Sequence, residues 1–167
     1  NESLTYYGSQ VKALGGGKIS GYLVIFTDAT SPDLTGLLHK GVPLGERTEP
    51  GEFFSKSTDF FTESGETRPI LYRHGTHPVI KSRKLGKGTL TFDDVGVFIA
   101  GELDLRDKYE KAIYKLAELG KLGWSSGSMG HLVNKKSHGT ALEILTWPIG
   151  EASLTPNPAE GRTAAIP

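Results

Sequence analysis

The chain has 167 residues, 37% hydrophobic and 23% charged, which suffices for one ordinary core and is too few for two. Lysine plus arginine equals aspartate plus glutamate at 19 each, so no excess positive charge is available for nucleic acid or an anionic membrane. The absence of cysteine excludes disulfides, thiolate metal sites and a cysteine nucleophile. We predict a single soluble domain over residues 1–155, followed by a Pro- and Ala-rich tail over 156–167.

The first part of the chain predicts one core strand and one long loop. Residues 18–27 are rich in β-branched and aromatic side chains and follow three consecutive glycines, which is typical of a strand that begins after a turn. Residues 28–66 are rich in Pro, Gly, Asp, Ser and Thr and hold only short apolar runs. They predict a long excursion with brief elements.

The middle of the chain predicts a short strand, a hairpin and a helix. The apolar run 69–73 leads into His74, and segments 88–92 and 96–103 flank two turn-forming aspartates, which favours a hairpin. Residues 104–119 carry apolar side chains at spacings of four, four and three, which predicts an amphipathic helix. The apolar stripe consists of Leu105, Tyr109, Ile113 and Leu116. Asp104 is the predicted N-cap, and Gly120 is the predicted end of the helix. Strands are predicted after it over 131–133, 140–147 and 151–155.

A run of small residues after the helix, Ser125-Ser126-Gly127-Ser128, is the first candidate for chemistry. Small residues allow a substrate to approach the backbone and leave amide groups free to stabilise an oxyanion. A polar surface turn nevertheless remains the simpler interpretation of this composition, because short motifs are only hypotheses.

Among the five histidines, His74 is the best candidate for a general base, because it ends an apolar run and precedes a glycine. His74 and His77 could also be considered as a metal pair, but no cluster of further ligands supports this. The remaining three are expected to be ordinary surface residues: His39, His131 and His138. No phosphate-binding loop is present, so nucleotide chemistry has no support.

Four stretches resemble one family: residues 21–26 (GYLVIF), 70–74 (ILYRH), 119–127 (LGKLGWSSG) and 147–159 (WPIGEASLTPNPA). The chain is similar there to the prohead maturation proteases of tailed bacteriophages, which share the fold of the herpesvirus assemblin proteases. The likeness covers most of the chain except 28–66. It implies a mainly β fold with flanking helices (α+β), a closed antiparallel β-barrel of the herpesvirus-protease type.

The resemblance also implies the roles of three residues. The family pattern of a serine, one variable residue and a glycine places the nucleophile at Ser125, with Ser126 as the alternative. The base is then His74. The phage relatives use a carboxylate as third member, which corresponds to Glu151, with Glu143 as the substitute. No metal or organic cofactor is implied.

The implied biology is a serine endopeptidase that cleaves scaffold and major capsid protein, and itself, inside an assembling prohead in the host cytoplasm. Neither nucleic acid nor membrane is expected as a partner. Herpesvirus relatives form dimers, which leaves a homo-oligomer open. The main alternative is a non-enzymatic capsid-assembly or binding barrel that keeps the fold without the activity.

Overall fold

The computed structural model describes residues 3–28, 51–139 and 141–156, which are mostly β-strand with one α-helix. The elements of this described part follow in chain order: β1 (Ser3–Gln10), β2 (Lys12–Gly15), β3 (Lys18–Ile25), β4 (Gly51–Asp59), β5 (Thr67–Tyr72), β6 (Gly86–Phe92), β7 (Gly96–Leu103), α1 (Lys108–Glu118), β8 (Leu122–Met129), β9 (Asn134–His138), β10 (Ala141–Thr146) and β11 (Ala152–Pro156).

The strands form two sheets. The larger has eight strands in the order β1-β8-β11-β5-β6-β7-β3-β2, and the smaller has three in the order β4-β10-β9. Most neighbours are antiparallel, but β11 runs parallel to β5 and β10 runs parallel to β4. In the parallel pair, Leu154 of β11 lies opposite Tyr72, the last residue of β5. The chain then turns at Arg73–Gly75, and His74 lies back against β11, with its backbone nitrogen 2.8 Å from Ser153 Oγ.

The predicted closed antiparallel barrel is wrong, because the large sheet is open and ends at β1 and β2. Strand β1 does approach β3, so that a Cβ atom on Gly8 would lie 2.0 Å from the carbonyl oxygen of Tyr22. However, β3 pairs with β7 along one edge and with β2 at residues 18–20 of the other, and no ladder joins it to β1. The sheet is therefore not closed between β1 and β3, although the two strands come close.

Three aromatic side chains join the small sheet to β1 of the large sheet. Tyr6 of β1, Phe54 of β4 and Trp147 after β10 contact one another with ring centroids 5.2 to 5.5 Å apart. All three are buried, and their rings meet edge to face, the arrangement that the aromatic quadrupole favours. The contact packs the small sheet against the face of β1 that carries Tyr6.

The predicted strand 18–27 and the hairpin 88–103 are confirmed as β3 and the β6–β7 pair. The long excursion is wrong in part, because residues 51–59 form β4 by pairing with β10, while 29–50 lie outside the described residues. The strand at 131–133 is also wrong. A 3₁₀ turn forms over Gly130–Leu132 instead, and β9 follows it, a strand that the sequence did not predict.

The helix is confirmed, but it begins later than predicted. Leu105 has φ of 53°, a left-handed conformation that an α-helix cannot contain, so Asp104 is not the N-cap. Asp107 takes that role, accepting a hydrogen bond of 3.0 Å from the backbone N–H of Glu110. The buried face holds Ile113, Tyr114 and Ala117, whereas Tyr109 of the predicted stripe is exposed.

A cluster of charged side chains at the start of α1 binds the segment between His74 and β6. Arg83, from that segment, donates to Asp107 at 2.6 Å and to Glu110 at 3.2 Å, and Arg106 also donates to Glu110. Burial raises the pKa of Glu110, but hydrogen bonds from Arg106 and Arg83 outweigh it and lower that pKa below its ordinary value. A backbone hydrogen bond from Glu110, then Arg83, lowers the pKa of Asp107.

Acid should therefore destabilise the protein through this cluster. A carboxyl group with a lowered pKa in the folded state contributes stability above its unfolded pKa and loses it as the pH falls through the folded value. We expect the free energy of unfolding to decline below about pH 5, where unfolded carboxyl groups begin to bind protons. Urea unfolding at a series of pH values measures this decline.

Glu110→Gln should lower the free energy of unfolding at pH 7 by about 2 kcal/mol, because it removes hydrogen bonds to a charged group. It should also flatten the dependence on pH. Glu118→Gln is the matched control, since Glu118 is an exposed residue of the same helix. Equal pH dependence in wild type and Glu110→Gln would contradict the role assigned to the cluster.

Candidate active site

The run Trp124 to Met129 lies within β8 and is not the surface turn that composition favoured. Strand β8 has β1 on one side and β11 on the other. Ser125 pairs with Tyr7 of β1 and with Ser153 of β11. Its backbone is thus fixed by two ladders, which gives the side chain a defined direction.

The two candidate serines point to opposite faces of the sheet, as successive residues of a strand do. Ser125 faces His74, with Oγ 2.8 Å from Nε2 of the imidazole. Ser126 Oγ instead accepts a hydrogen bond of 3.1 Å from Nε1 of the buried Trp147. The alternation therefore brings Ser125 to the histidine and turns Ser126 away from it.

His74 lies in a 3₁₀ turn, Arg73–Gly75, directly after β5. Arg73 and His74 both have left-handed backbone conformations, with φ of 51° and 55°, and Gly75 follows with φ of 81°. Such a conformation costs about 1 to 2 kcal/mol for each non-glycine residue. Strain of this kind is concentrated at functional sites, where the surrounding structure holds it in place.

Glu151 completes a chain of contacts that runs from Ser125 through His74. Its Oε1 atom is 2.6 Å from Nδ1 of His74, while Nε2 of the same ring is 2.8 Å from Ser125 Oγ. A carboxylate on Nδ1 favours the tautomer in which Nδ1 carries the proton and Nε2 is free to accept one. The structure thus brings together Ser125, His74 and Glu151, the three residues that the resemblance implied.

Gly127 lies against the same pair. A Cβ atom there would be 3.4 Å from Oε1 of Glu151 and 3.4 Å from Nδ1 of His74, so a methyl group would touch both of them. The pairing of β8 with β11 extends only as far as Ser126 opposite Ala152. Beyond it the edge of β8 is open, and one of the amides of Gly127 and Ser128 faces that edge, because successive strand amides alternate.

A cavity of about 920 Å³ adjoins these residues. Thr5, Tyr7 and Gly127 lie on one face of the β1–β8 pair and line it, together with His74 and Glu151. Three large apolar side chains around it are unusually exposed, Phe61 at 58%, Met129 at 42% and Leu132 at 40%. A cavity of this size accommodates several residues of an extended peptide.

Ser125 itself is fully buried, whereas the side chains of His74 and Glu151 are 21% and 20% exposed. Besides the imidazole, its hydroxyl lies 3.3 Å from the carbonyl oxygen of Tyr6 on β1. His74 and Glu151 therefore line the cavity, whereas Ser125 lies buried behind the residues that do.

The substitute carboxylate, Glu143, lies in the small sheet and has partners of its own. It accepts hydrogen bonds from Ser55 at 2.7 Å and from His138 at 2.8 Å. The hydrogen bond from Ser55, followed by that from His138, lowers the pKa of Glu143 below its ordinary value. It is not brought to His74, whose Nδ1 atom contacts Glu151.

The other histidines are placed apart from this chain of contacts. Nδ1 of His77 accepts hydrogen bonds from the backbone of Val79 and Ile80, so that atom is not turned toward His74. His131 lies exposed in a 3₁₀ turn, and His39 falls outside the described residues. Within the described ranges no group of three or more His, Cys, Asp or Glu could hold a metal ion.

One residue of the site was missed. Ser153 is buried opposite Ser125, and its hydroxyl lies 2.9 Å from Oε2 of Glu151 and 2.8 Å from the backbone nitrogen of His74. The signal was its spacing, because residues two apart on an extended segment share a face, and the neighbour of Glu151 at that spacing is Ser153.

No helix in the part of the chain that the structure describes has the length and apolar character needed to cross a membrane. Comparisons of the chain with models of protein families, with curated proteins and with solved structures give no match.

Proposed function

We propose that this chain is a serine endopeptidase with Ser125 as nucleophile, His74 as general base and Glu151 as the residue that orients the base. The observation that carries the proposal is the pair of contacts on the two nitrogens of one imidazole ring, 2.8 Å to the serine and 2.6 Å to the carboxylate. Nucleophile, base and orienter within hydrogen-bond reach form the arrangement that activates a serine hydroxyl.

The chemistry follows from these positions. Ser125 Oγ attacks a peptide carbonyl carbon while Nε2 of His74 accepts the hydroxyl proton, and Glu151 stabilises the imidazolium that forms. The same proton then passes from Nε2 to the departing amine, which leaves an acyl group on Ser125. Water, activated by His74, hydrolyses that ester and restores the serine.

The negative charge that develops on the substrate's carbonyl oxygen must be stabilised by hydrogen-bond donors, and the open edge of β8 offers a backbone amide. One of the amides of Gly127 and Ser128 faces that edge, next to the cavity. Gly127 also has no side chain to obstruct a substrate carbonyl. Backbone amides preorganised in this way are a large contribution to acyl transfer.

We further propose that the substrates are scaffold and capsid-protein segments of an assembling phage prohead, and that the protein also cleaves itself. Its support is the resemblance at residues 21–26, 70–74, 119–127 and 147–159, of which three contribute directly to the site. The exposed apolar side chains around the cavity suit a peptide with large apolar groups.

The complete burial of Ser125 favours one alternative, a capsid-assembly or binding protein that keeps the three residues without the activity. In that case the hydroxyl would serve only as a buried donor to His74 or to the carbonyl oxygen of Tyr6.

Reaction with a small alkyl fluorophosphonate separates the two functions. We expect wild-type protein to acquire one phosphonyl group, and mass spectrometry of peptides to place it on Ser125, because only an activated serine attacks such a probe. Ser125→Ala should acquire none.

Ser126→Ala is the matched control, since it removes the neighbouring hydroxyl from the opposite face. It should keep the reaction while losing about 1 kcal/mol of stability or more, because it leaves the indole N–H of Trp147 without its acceptor. Labelling that persists in Ser125→Ala would contradict the nucleophile assignment. Absence of labelling in folded wild-type protein would favour the non-enzymatic alternative.

A further inference from the structure

A single hydroxyl group, that of Ser153, contacts both His74 and Glu151. Ser153, the second residue of β11, lies directly opposite Ser125 across the β8–β11 ladder and is fully buried. Its Oγ atom is 2.9 Å from Oε2 of Glu151 and 2.8 Å from the backbone nitrogen of His74.

The chemistry of the two partners fixes the direction of both hydrogen bonds. A backbone N–H can only donate and an ionised carboxylate can only accept. The Ser153 hydroxyl therefore accepts from the amide of His74 and gives its one proton to Glu151. Alanine offers neither function, and no other side chain is seen to contact Oε2 of Glu151 among the described residues.

These contacts close a ring. From the backbone of His74 the path runs through its side chain to Nδ1, across 2.6 Å to Oε1 of Glu151, through the carboxylate to Oε2, and by way of Ser153 Oγ back to the amide of His74. Each carboxylate oxygen thus has its own partner, so the plane of the carboxylate is fixed relative to the imidazole.

We propose that Ser153 is a positioning residue that holds His74 and Glu151 in one geometry for the reaction of Ser125. The inference rests on the proposed function, in which His74 is the base. His74 needs such support because its backbone is left-handed and its neighbours Arg73 and Gly75 are too, so the turn alone does not favour this conformation.

A purely structural role for Ser153 would be a local contact that shapes the start of β11, because Glu151 is only two residues away. That role predicts a loss of stability and no change in the imidazole. The positioning role predicts in addition that the ring loses its single orientation and tautomer when the hydroxyl is removed.

The test compares Ser153→Ala with Ser153→Thr, which keeps a hydroxyl, and with Thr58→Val as a matched control. Thr58 of β4 is a buried hydroxyl with the same pattern, since it accepts from a backbone amide at 3.0 Å and donates to an oxygen at 2.6 Å, but it lies in the small sheet. For each variant we would measure the rate constant of fluorophosphonate labelling, urea unfolding and the ¹⁵N shifts of the His74 ring.

Ser153→Ala should lower the labelling rate constant about 10- to 100-fold, the range found when a residue that orients a reacting group is removed. Its His74 ring shifts should move from the Nδ1-protonated tautomer toward a mixture. Thr58→Val should lose stability with wild-type rate and shifts, and Ser153→Thr should recover most of the rate.

The inference would be overturned by wild-type rate and ring shifts in Ser153→Ala, or by a Ser153→Thr variant as slow as Ser153→Ala. Equal loss of rate in Thr58→Val would also overturn it, because the effect would then follow stability alone. A wild-type protein that takes no label fails the proposed function instead, and the ring shifts still report whether Ser153 orients His74.

Discussion

Replacement of His74 with asparagine should lower kcat for peptide cleavage by about 10⁴- to 10⁶-fold, the loss seen when one member of a nucleophile–base unit is removed. The Asn amide group can take the place of the Nδ1 side of the imidazole and donate to Glu151, but nothing then faces Ser125 Oγ to accept its proton. Asparagine also tolerates the left-handed φ of 55° at this position.

The same substitution three residues later provides the control. Nδ1 of His77 accepts hydrogen bonds from two backbone amides, and an asparagine oxygen can replace it as the acceptor. His77→Asn should therefore keep kcat within a few-fold of wild type by the same reasoning on local hydrogen bonds. Burst-phase and steady-state assays on a peptide substrate measure both variants, and circular dichroism checks the fold. Comparable activity in His74→Asn and wild type would rule out the assigned base.

Sequence patterns predicted the elements whose conformation is determined by residues close together in the sequence. The hairpin of β6 and β7 carries its own turn residues, and α1 carries its apolar spacing. The start of α1 was wrong because Asp104 and Asp107 are both good caps by composition, and only the left-handed backbone of Leu105 decides between them.

Elements that depend on distant partners could not be predicted in this way. Strand β4 has only two apolar residues in succession, Phe53 and Phe54, and becomes a strand by pairing in parallel with β10, in which Ala141 lies opposite Gly51. Barrel closure would require a ladder between β1 and β3, and β3 pairs with β2 and β7 instead. Local composition contains neither fact.

The candidate site also depends on contacts between residues that are distant in the sequence. Residue types alone favoured a surface turn for the Ser125 run, because burial within a sheet is not visible in a string of small residues. The order of His74, Ser125 and Glu151 along the chain does not itself bring them together. The left-handed turn after β5 folds His74 back against β11 and onto Glu151, and the β8–β11 pair adds Ser125. Ser153 has a visible spacing to Glu151, but its contact with the amide of His74 exists only in the folded chain.

Trp124 should have the largest effect on stability. Its indole is fully buried directly before Ser125, and Nε1 donates a hydrogen bond of 3.0 Å to the carbonyl oxygen of Ser20. Trp124→Ala should lower the free energy of unfolding by about 3 to 5 kcal/mol, through lost packing and a large cavity. That is a large part of the 5 to 15 kcal/mol typical of a domain. Urea unfolding followed by circular dichroism measures it.

Gly21 provides the sharper test of this packing. A Cβ atom on Gly21 would lie 2.6 Å from Cδ1 and Nε1 of the Trp124 indole, so the glycine in β3 leaves room for that ring. Gly21→Ala should be strongly destabilising in wild type and less so in Trp124→Phe, whose smaller ring lacks Nε1. The difference between these two losses is a coupling energy, expected at about 0.5 to 3 kcal/mol for residues in contact. Strictly additive losses would mean that Gly21 is required by the strand itself, and that the indole before Ser125 does not depend on it.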